Sequence, residues 1–440
     1  MRLIQHGADP FAAPPFEIVG GEGAYLRTSD GRQLLDASNT GGPLGHAHPA
    51  MVEAIVTAAR FPVANESQPW RERELAAEEL IDIAFAGEGD WIGGLRFGLS
   101  GSEVNDTALT LAQSVTGRLP VVARERAYHG LVGLARDVTL QPQWHGGLSH
   151  TDGSGVSAPA PGVEVRTIAA PDGAIWMREA APAASLDPTQ LAAALDGSAA
   201  VIVDYTQGGR YHDAAYQDAV ATAAADAGAL WIADEVVTGL GRGGSWFAFQ
   251  KGERRPDIVT LGKPIAGGAA PGGAVVLSKE LVERLDGVKW QSYSTFRGHP
   301  VMVHAVRAHL RVVRDEGLVA RAAAGGELLA ARLREIAERH PSVQRVAGDG
   351  LHWTIELVGM DWREWESTST ETQPSDLVAR AMLAAGVKVS TSDEPTSLFL
   401  APPLIATDAE LERIASTLDD ALAHSDAALS DAAPTEAAAR

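Results

Sequence analysis

Two short apolar runs in this chain each end on a residue that can do chemistry. Leu230 to Ala233 reads as a buried strand and stops at Asp234 and Glu235. Asp257 to Leu261 reads as a second strand and stops at Gly262 and Lys263. In open α/β sheets, ligands bind at the carboxyl ends of strands. A carboxylate and an amine delivered there suit a carbonyl cofactor. The lysine forms a Schiff base, and the acid keeps a ring nitrogen protonated. The chain has only five lysines. Lys251 lies in a charged run, Lys279 opens a predicted helix, Lys289 sits in an irregular stretch, and Lys388 alternates with valines. Lys263 alone has an apolar strand before it and Gly267 and Gly268 after it. Burial there lowers an amine's pKa and makes it a usable nucleophile. Taken by itself, a surface lysine at a strand end is the plainer alternative.

A second stretch points to a phosphate. Leu95 to Leu99 reads as a strand, and Ser100, Gly101 and Ser102 then open a helix running to about Val115. A helix N-terminus offers free N–H groups and the positive end of a dipole, which suits an anion. A capping box, Ser100-x-x-Glu103, fits the same residues, and both readings can hold. Two nucleotide-site readings fail. LWIADE resembles the acidic strand of a nucleotide hydrolase, but the G-x-x-x-x-G-K-[ST] loop that would accompany it is absent; the only Gly-Lys pair runs into Pro264. Gly239, Gly241 and Gly244 match G-x-G-x-x-G, yet SWFAF follows them rather than a helix.

Composition sets outer bounds. A chain of 440 residues buries a large core and holds more than one domain or subdomain. A formal charge of -21 argues against nucleic acid as a partner. With no cysteine, thiolate nucleophiles and disulfides are impossible. No apolar run reaches membrane-spanning length, and the N-terminus lacks a signal-peptide core, so a cytoplasmic location is expected. His46 and His48 lack clustered acidic ligands and read as structural or pocket-lining, so no metal site is expected. The stretch from Gln141 to Pro188 is expected to form irregular loops over a site mouth, and Asp361 to Pro374 a loop or insertion.

DEVVTGLGR followed by TLGKPIAGG resembles the core of the class III aminotransferases, fold type I enzymes that use pyridoxal 5′-phosphate (PLP). SGSEVNDTALTLA is similar to the family's phosphate-binding segment, AYHG to its ring-stacking segment, and STFRGHP to its Thr-Phe-x-Gly-Asn-Pro segment. The resemblance spans nearly the whole chain, with its motifs in family order. It implies an α/β fold: a large domain with a mostly parallel seven-stranded sheet flanked by helices, and a small α/β domain. The boundaries it implies are a small-domain segment at 1–55, the PLP-binding domain at 56–320, the C-terminal small domain at 321–424, and a disordered tail at 425–440.

The resemblance also assigns roles. Lys263 holds PLP and Asp234 protonates its ring. Tyr128, with His129 and Gly130 after it, stacks on one face of the ring and Val236 on the other. Ser100, Gly101 and Ser102 hold the phosphate, and Asp204 stands in the pocket where relatives carry Glu. Thr295 reaches the phosphate of a neighbouring subunit, which implies a homodimer with shared active sites. Three departures bear on substrate. Phe399 and Gly209 stand where glutamate-using relatives carry an arginine and a glutamate that pair between half-reactions. Val237 replaces a common Gln. Arg210, Arg242 and Arg297 are left as candidate carboxylate clamps. The expected reaction is transamination between an amine or amino acid and a carbonyl acceptor. The alternatives are a non-transaminating PLP enzyme, such as an aminomutase, a racemase, a decarboxylase or a catalyst of elimination or carbon–carbon bond formation, and a catalytically silent binding protein.

Overall fold

The computed structural model describes residues 16–62, 66–141, 144, 146–149, 156–157, 160–179, 186–359, 373–392 and 394–432. Residues 361–372 of the loop expected over Asp361 to Pro374 lie outside the described residues, as do parts of the 141–188 stretch, and Pro374 opens a helix.

The chain opens with β1 (Ile18–Glu22), β2 (Tyr25–Thr28) and β3 (Gln33–Asp36). β2 and β3 pair as the hairpin that Asp30-Gly31 predicts, with Gly31 at φ 87°. β4 (Ile92–Gly98) and β5 (Val121–Arg124) follow. The Gly- and Pro-rich stretch after them is not all loop. It holds the short ribbon β6 (Leu148–Ser149) with β7 (Val156–Ser157), then β8 (Val165–Ile168) and β9 (Ala174–Met177). β8 and β9 carry the branched and aromatic residues that suit a sheet, but they are too short to stand out between turn-forming residues. β10 (Ala200–Asp204), β11 (Leu230–Asp234), β12 (Ile258–Leu261) and β13 (Gly273–Ser278) complete the middle of the chain. The last strands are β14 (Val343–Asp349), β15 (His352–Leu357), β16 (Val387–Lys388) and β17 (Ser397–Leu400).

The large sheet has seven strands in the order β4-β13-β12-β11-β10-β5-β8. β12, β11, β10, β5 and β8 run parallel, and β13 alone is antiparallel to both its neighbours. This is the expected α/β architecture. Continuous apolar runs such as AVIVD and LWIAD are buried along their whole length, as strands covered on both faces must be. Two smaller sheets stand apart from it. One is β1-β2-β3-β16, and the other is β17-β15-β14-β9. β9 thus leaves the middle of the chain to join a C-terminal sheet.

Two helix expectations need correction. The helical spacing of Leu75, Leu80 and Ile83 predicts a helix over Arg71 to Ala84, but it is α-helical only through Glu79, and Leu80–Ala84 continue as a π-helical turn. The tail expected to be disordered from 425 is helical through Ala432, within the helix Asp408–Ala432. Alanine's helix propensity outweighs the segment's polarity. Asp426 also ties the helix down, accepting from His340 Nδ1 at 2.7 Å and from the Ser342 N–H at 2.9 Å.

Candidate functional site

The strand register builds the site. Asp204, Asp234 and Thr260 are lateral neighbours at the carboxyl ends of β10, β11 and β12. Lys263 follows two residues after β12, on a 3-10 turn that Gly267 ends at φ 61°. β5 leads into Tyr128, His129 and Gly130. The helix Gly101–Thr116 starts at the end of β4. These segments surround a cavity of about 200 Å³. Ser100, Gly101, Ser102, Tyr128, His129, Gly130, Asp204, Asp234, Val236 and Lys263 all line it. Ten of the eleven site residues expected from sequence are therefore brought together. Thr295 is not: it is exposed on a turn at residues 295–298, away from the cavity of its own chain.

The helix start is held open by its cap. Ser100 Oγ accepts from the Glu103 N–H at 3.2 Å, and Glu103 reaches back to the Leu99 N–H at 2.6 Å. Glycines let three segments close around this point. A Cβ on Gly101 would lie 2.6 Å from Val236 Cγ1, and one on Gly130, at φ 125°, 2.2 Å from Ser102 Oγ. The result is a cradle of backbone N–H and hydroxyl groups at one end of the cavity.

At the other end Asp234 is held from three sides. Its Oδ2 accepts from Asn105 Nδ2 at 2.7 Å and meets His129 Nδ1 at 2.7 Å, while Oδ1 accepts from the Val236 N–H at 2.9 Å. Asn105 is fixed by the Thr260 hydroxyl, 2.6 Å from its Oδ1. Asp204 is anchored by the fully buried Arg124 and by the Gln207 N–H at 2.9 Å. Lys263 Nζ stands over the Tyr128 ring, 6.0 Å from its centroid. The lysine keeps open surface because it stands in the cavity, with protein packed closely around it. That desolvation lowers its pKa, while Asp234 and Asp204 partly restore it. Burial also raises the Tyr128 phenol, with Asp234 adding to the effect. Glu235, just past Asp234, points the other way and is pushed up to about 7 by burial.

Sequence reading missed Asn105, Thr260 and Arg124. Asn105 sits one helical turn after Gly101, and only that spacing hinted at it. The three candidate clamps are now distinguishable. Arg242 is buried and donates to the backbone carbonyls of Leu351, Pro402 and Asn39. Arg297 is bound to Glu103 at 2.9 Å. Arg210, three residues past the cavity-lining Gln207, is held loosely, 3.8 Å from Asp172 and 3.7 Å from Glu356. Phe399 pairs across from Thr354 on β15. A Cβ on Gly209 would meet Thr354 Cγ2 at 2.9 Å and Glu356 Oε1 at 3.0 Å.

The residues present fit PLP: an amine, a stacking phenol, a fixed carboxylate and an N–H cradle surround one cavity. The comparisons agree. A family model described as aminotransferase class III matches residues 7–422. Acetylornithine aminotransferase of Mycobacterium tuberculosis is 31% identical over 424 residues, covering 93% of this chain and 92% of that one. Taurine–pyruvate aminotransferase of Rhodobacter capsulatus is 31% identical over 461 residues, covering 96% and 94%. An S-selective transaminase from Arthrobacter sp. superposes with a TM-score of 0.88 at 28% identity, covering 97% and 96%. With a family match that runs almost end to end and an α/β frame that gathers those groups, the chain belongs to the class III aminotransferases and is a PLP-dependent enzyme.

Proposed function

We propose that this aminotransferase takes its amino group from an amine or ω-amino acid rather than from glutamate, and passes it to a small oxo acid. One observation carries this reading: Lys263 is the only cationic side chain among the described residues that line the cavity. Glutamate brings two carboxylates, and no fixed cation among the described residues of the cavity is left for the second. Phe399 in place of an arginine, and Gly209 in place of a glutamate, support the same conclusion.

PLP supplies an electron sink that stabilises negative charge on the carbon next to the amine. The chain's own groups do the rest. Lys263 would hold the cofactor through its amine and, when that amine is free, would serve as general base toward the donor carbon. Its lowered pKa favours the neutral, basic form. Asp234 keeps the ring nitrogen protonated, and Asn105 and the Val236 N–H hold the carboxylate in place. Tyr128 and Val236 enclose the ring. Ser100, Gly101 and Ser102 take the phosphate, and Thr295 of a second copy in a homodimer adds to it. An exposed Thr295 beside exposed Tyr293 and Phe296 suits a surface that another subunit covers. Arg210 receives the acceptor's carboxylate, since its present partners lie beyond close ion-pair distance.

The test is the half-reaction. PLP-loaded protein is mixed with a panel of amines, ω-amino acids and α-amino acids, without acceptor, and its absorbance is followed. Conversion of the visible band to the near-ultraviolet band of pyridoxamine phosphate is expected with amines and ω-amino acids and not with glutamate. Conversion by glutamate alone would refute the donor class. A persistent long-wavelength band without pyridoxamine phosphate would favour a non-transaminating reaction.

A further inference from the structure

The parallel register of β10 and β11 forces two carboxylates, Asp204 and Asp234, into neighbouring places, and each is only 4% exposed. Buried like charges this close need separation or separate cations. The His129 ring, wholly buried, stands between them. Its Nδ1 is 2.7 Å from Asp234 Oδ2, and its Nε2 is 3.8 Å from Asp204 Oδ2. The second distance is too long for a direct hydrogen bond. Neither His129 Nε2 nor Asp204 Oδ2 has a hydrogen-bond partner among the described residues.

Counting protons narrows the options. Asp234 can only accept, so Nδ1 carries a hydrogen. In a neutral ring Nε2 is then a lone pair facing another acceptor. A ring protonated on both nitrogens would satisfy the two carboxylates but would add a third buried cation. Asp204 already has Arg124. Asp234 has the protonated cofactor ring nitrogen, if the role proposed for it above holds. A water molecule resolves the conflict because it can donate to two acceptors at once, and legs of about 2.8 Å can span this gap.

We propose that His129 is a positioning residue kept neutral by one buried water that bridges its Nε2 to Asp204, so that the full charge of Asp234 stays available to the cofactor ring. The inference rests on the reading of Asp234 as the ring-nitrogen partner. It gives the aspartate at 204 a purpose. A glutamate there is longer by one C–C bond of about 1.5 Å, enough to close the gap, expel the water and draw a proton onto Nε2.

Nitrogen-15 NMR of PLP-loaded protein, labelled in histidine and in the cofactor ring nitrogen, tests this. In the wild type we expect His129 with one protonated and one bare nitrogen, and a protonated ring nitrogen. In Asp204→Glu we expect both His129 nitrogens protonated, the ring-nitrogen signal shifted toward the bare form, and PLP dissociation about tenfold faster, a change of about 1.4 kcal/mol. A wild-type His129 protonated on both nitrogens overturns the proposal. So does an unchanged His129 pattern in Asp204→Glu. A crystal structure of the wild-type holoenzyme checks the water without any variant: no water within about 3.2 Å of both atoms overturns the proposal as well. A bare ring nitrogen in the wild type, with His129 as expected, would instead sink the role of Asp234 and leave the tether standing.

Discussion

Two buried charge clusters lie on either side of the same strand end. Arg124 turns toward the cofactor cavity and meets Asp204. Arg126, two residues on and at φ 59°, turns away and meets Glu356 at 3.3 Å and Glu394 at 3.2 Å. Arg345 and Arg210 join Arg126 around Glu356, with Asp172 at the edge. The cavity cluster ties β10, β11 and β12 to one helix within a single sheet. The Arg126 cluster joins that sheet to the C-terminal one, through partners 230 and 268 residues away. One cluster surrounds a space and leaves groups facing it, whereas the other is closed on itself except at Arg210, whose contacts are long. The contrast shows how similar residue types serve chemistry where a cavity is kept and cohesion where it is filled.

Three substitutions would break or sharpen that contrast. The largest effect on turnover belongs to the cavity. Asp234→Asn keeps the shape but removes the charge, so kcat should fall by about 10²–10⁴-fold while Tm moves little. Steady-state rates and calorimetry on PLP-loaded protein would show it, and a near-normal kcat would contradict the assignment. Arg126→Ala should do the reverse. Removing one partner of a buried cluster costs about 3–5 kcal/mol, so denaturant unfolding should weaken by that amount while kcat per folded site changes less than about threefold. Arg210→Ala is the mildest case. Its contacts are long and its side chain is partly exposed, so it should cost under about 1 kcal/mol of stability. The KM for the oxo acid should rise about tenfold, with a smaller change in the donor half-reaction. An unchanged acceptor KM would remove Arg210 from the site.

What could be read from the sequence follows the same divide. Lys263, Asp234 and the Ser100–Ser102 turn each follow a local apolar run, and Tyr128 comes four residues after β5, so their placement at one edge of the sheet is a local property multiplied by topology. Asn105, Thr260 and Arg124 become significant only once strand register and the packing of the helix Gly101–Thr116 set them beside Asp234 and Asp204. No run of neighbours reveals that. The Arg126 cluster was invisible for the same reason, since its carboxylates arrive from the far end of the chain. The short strands β8 and β9 were hidden by their turn-rich surroundings, and the helical tail by its polar composition.

β9 has a further consequence. It pairs with β14, with Met177 opposite Arg345, and Arg178 donates to the Val343 carbonyl 165 residues along the chain. During synthesis this strand must wait for its partner long after its own neighbours have folded. A C-terminal piece expressed alone would leave the flank of β14 open, a ready template for strand addition by other copies. The strand borrowed from the middle of the chain therefore acts as a guard against aggregation, and the C-terminal lobe is not a module that can be cut out and moved.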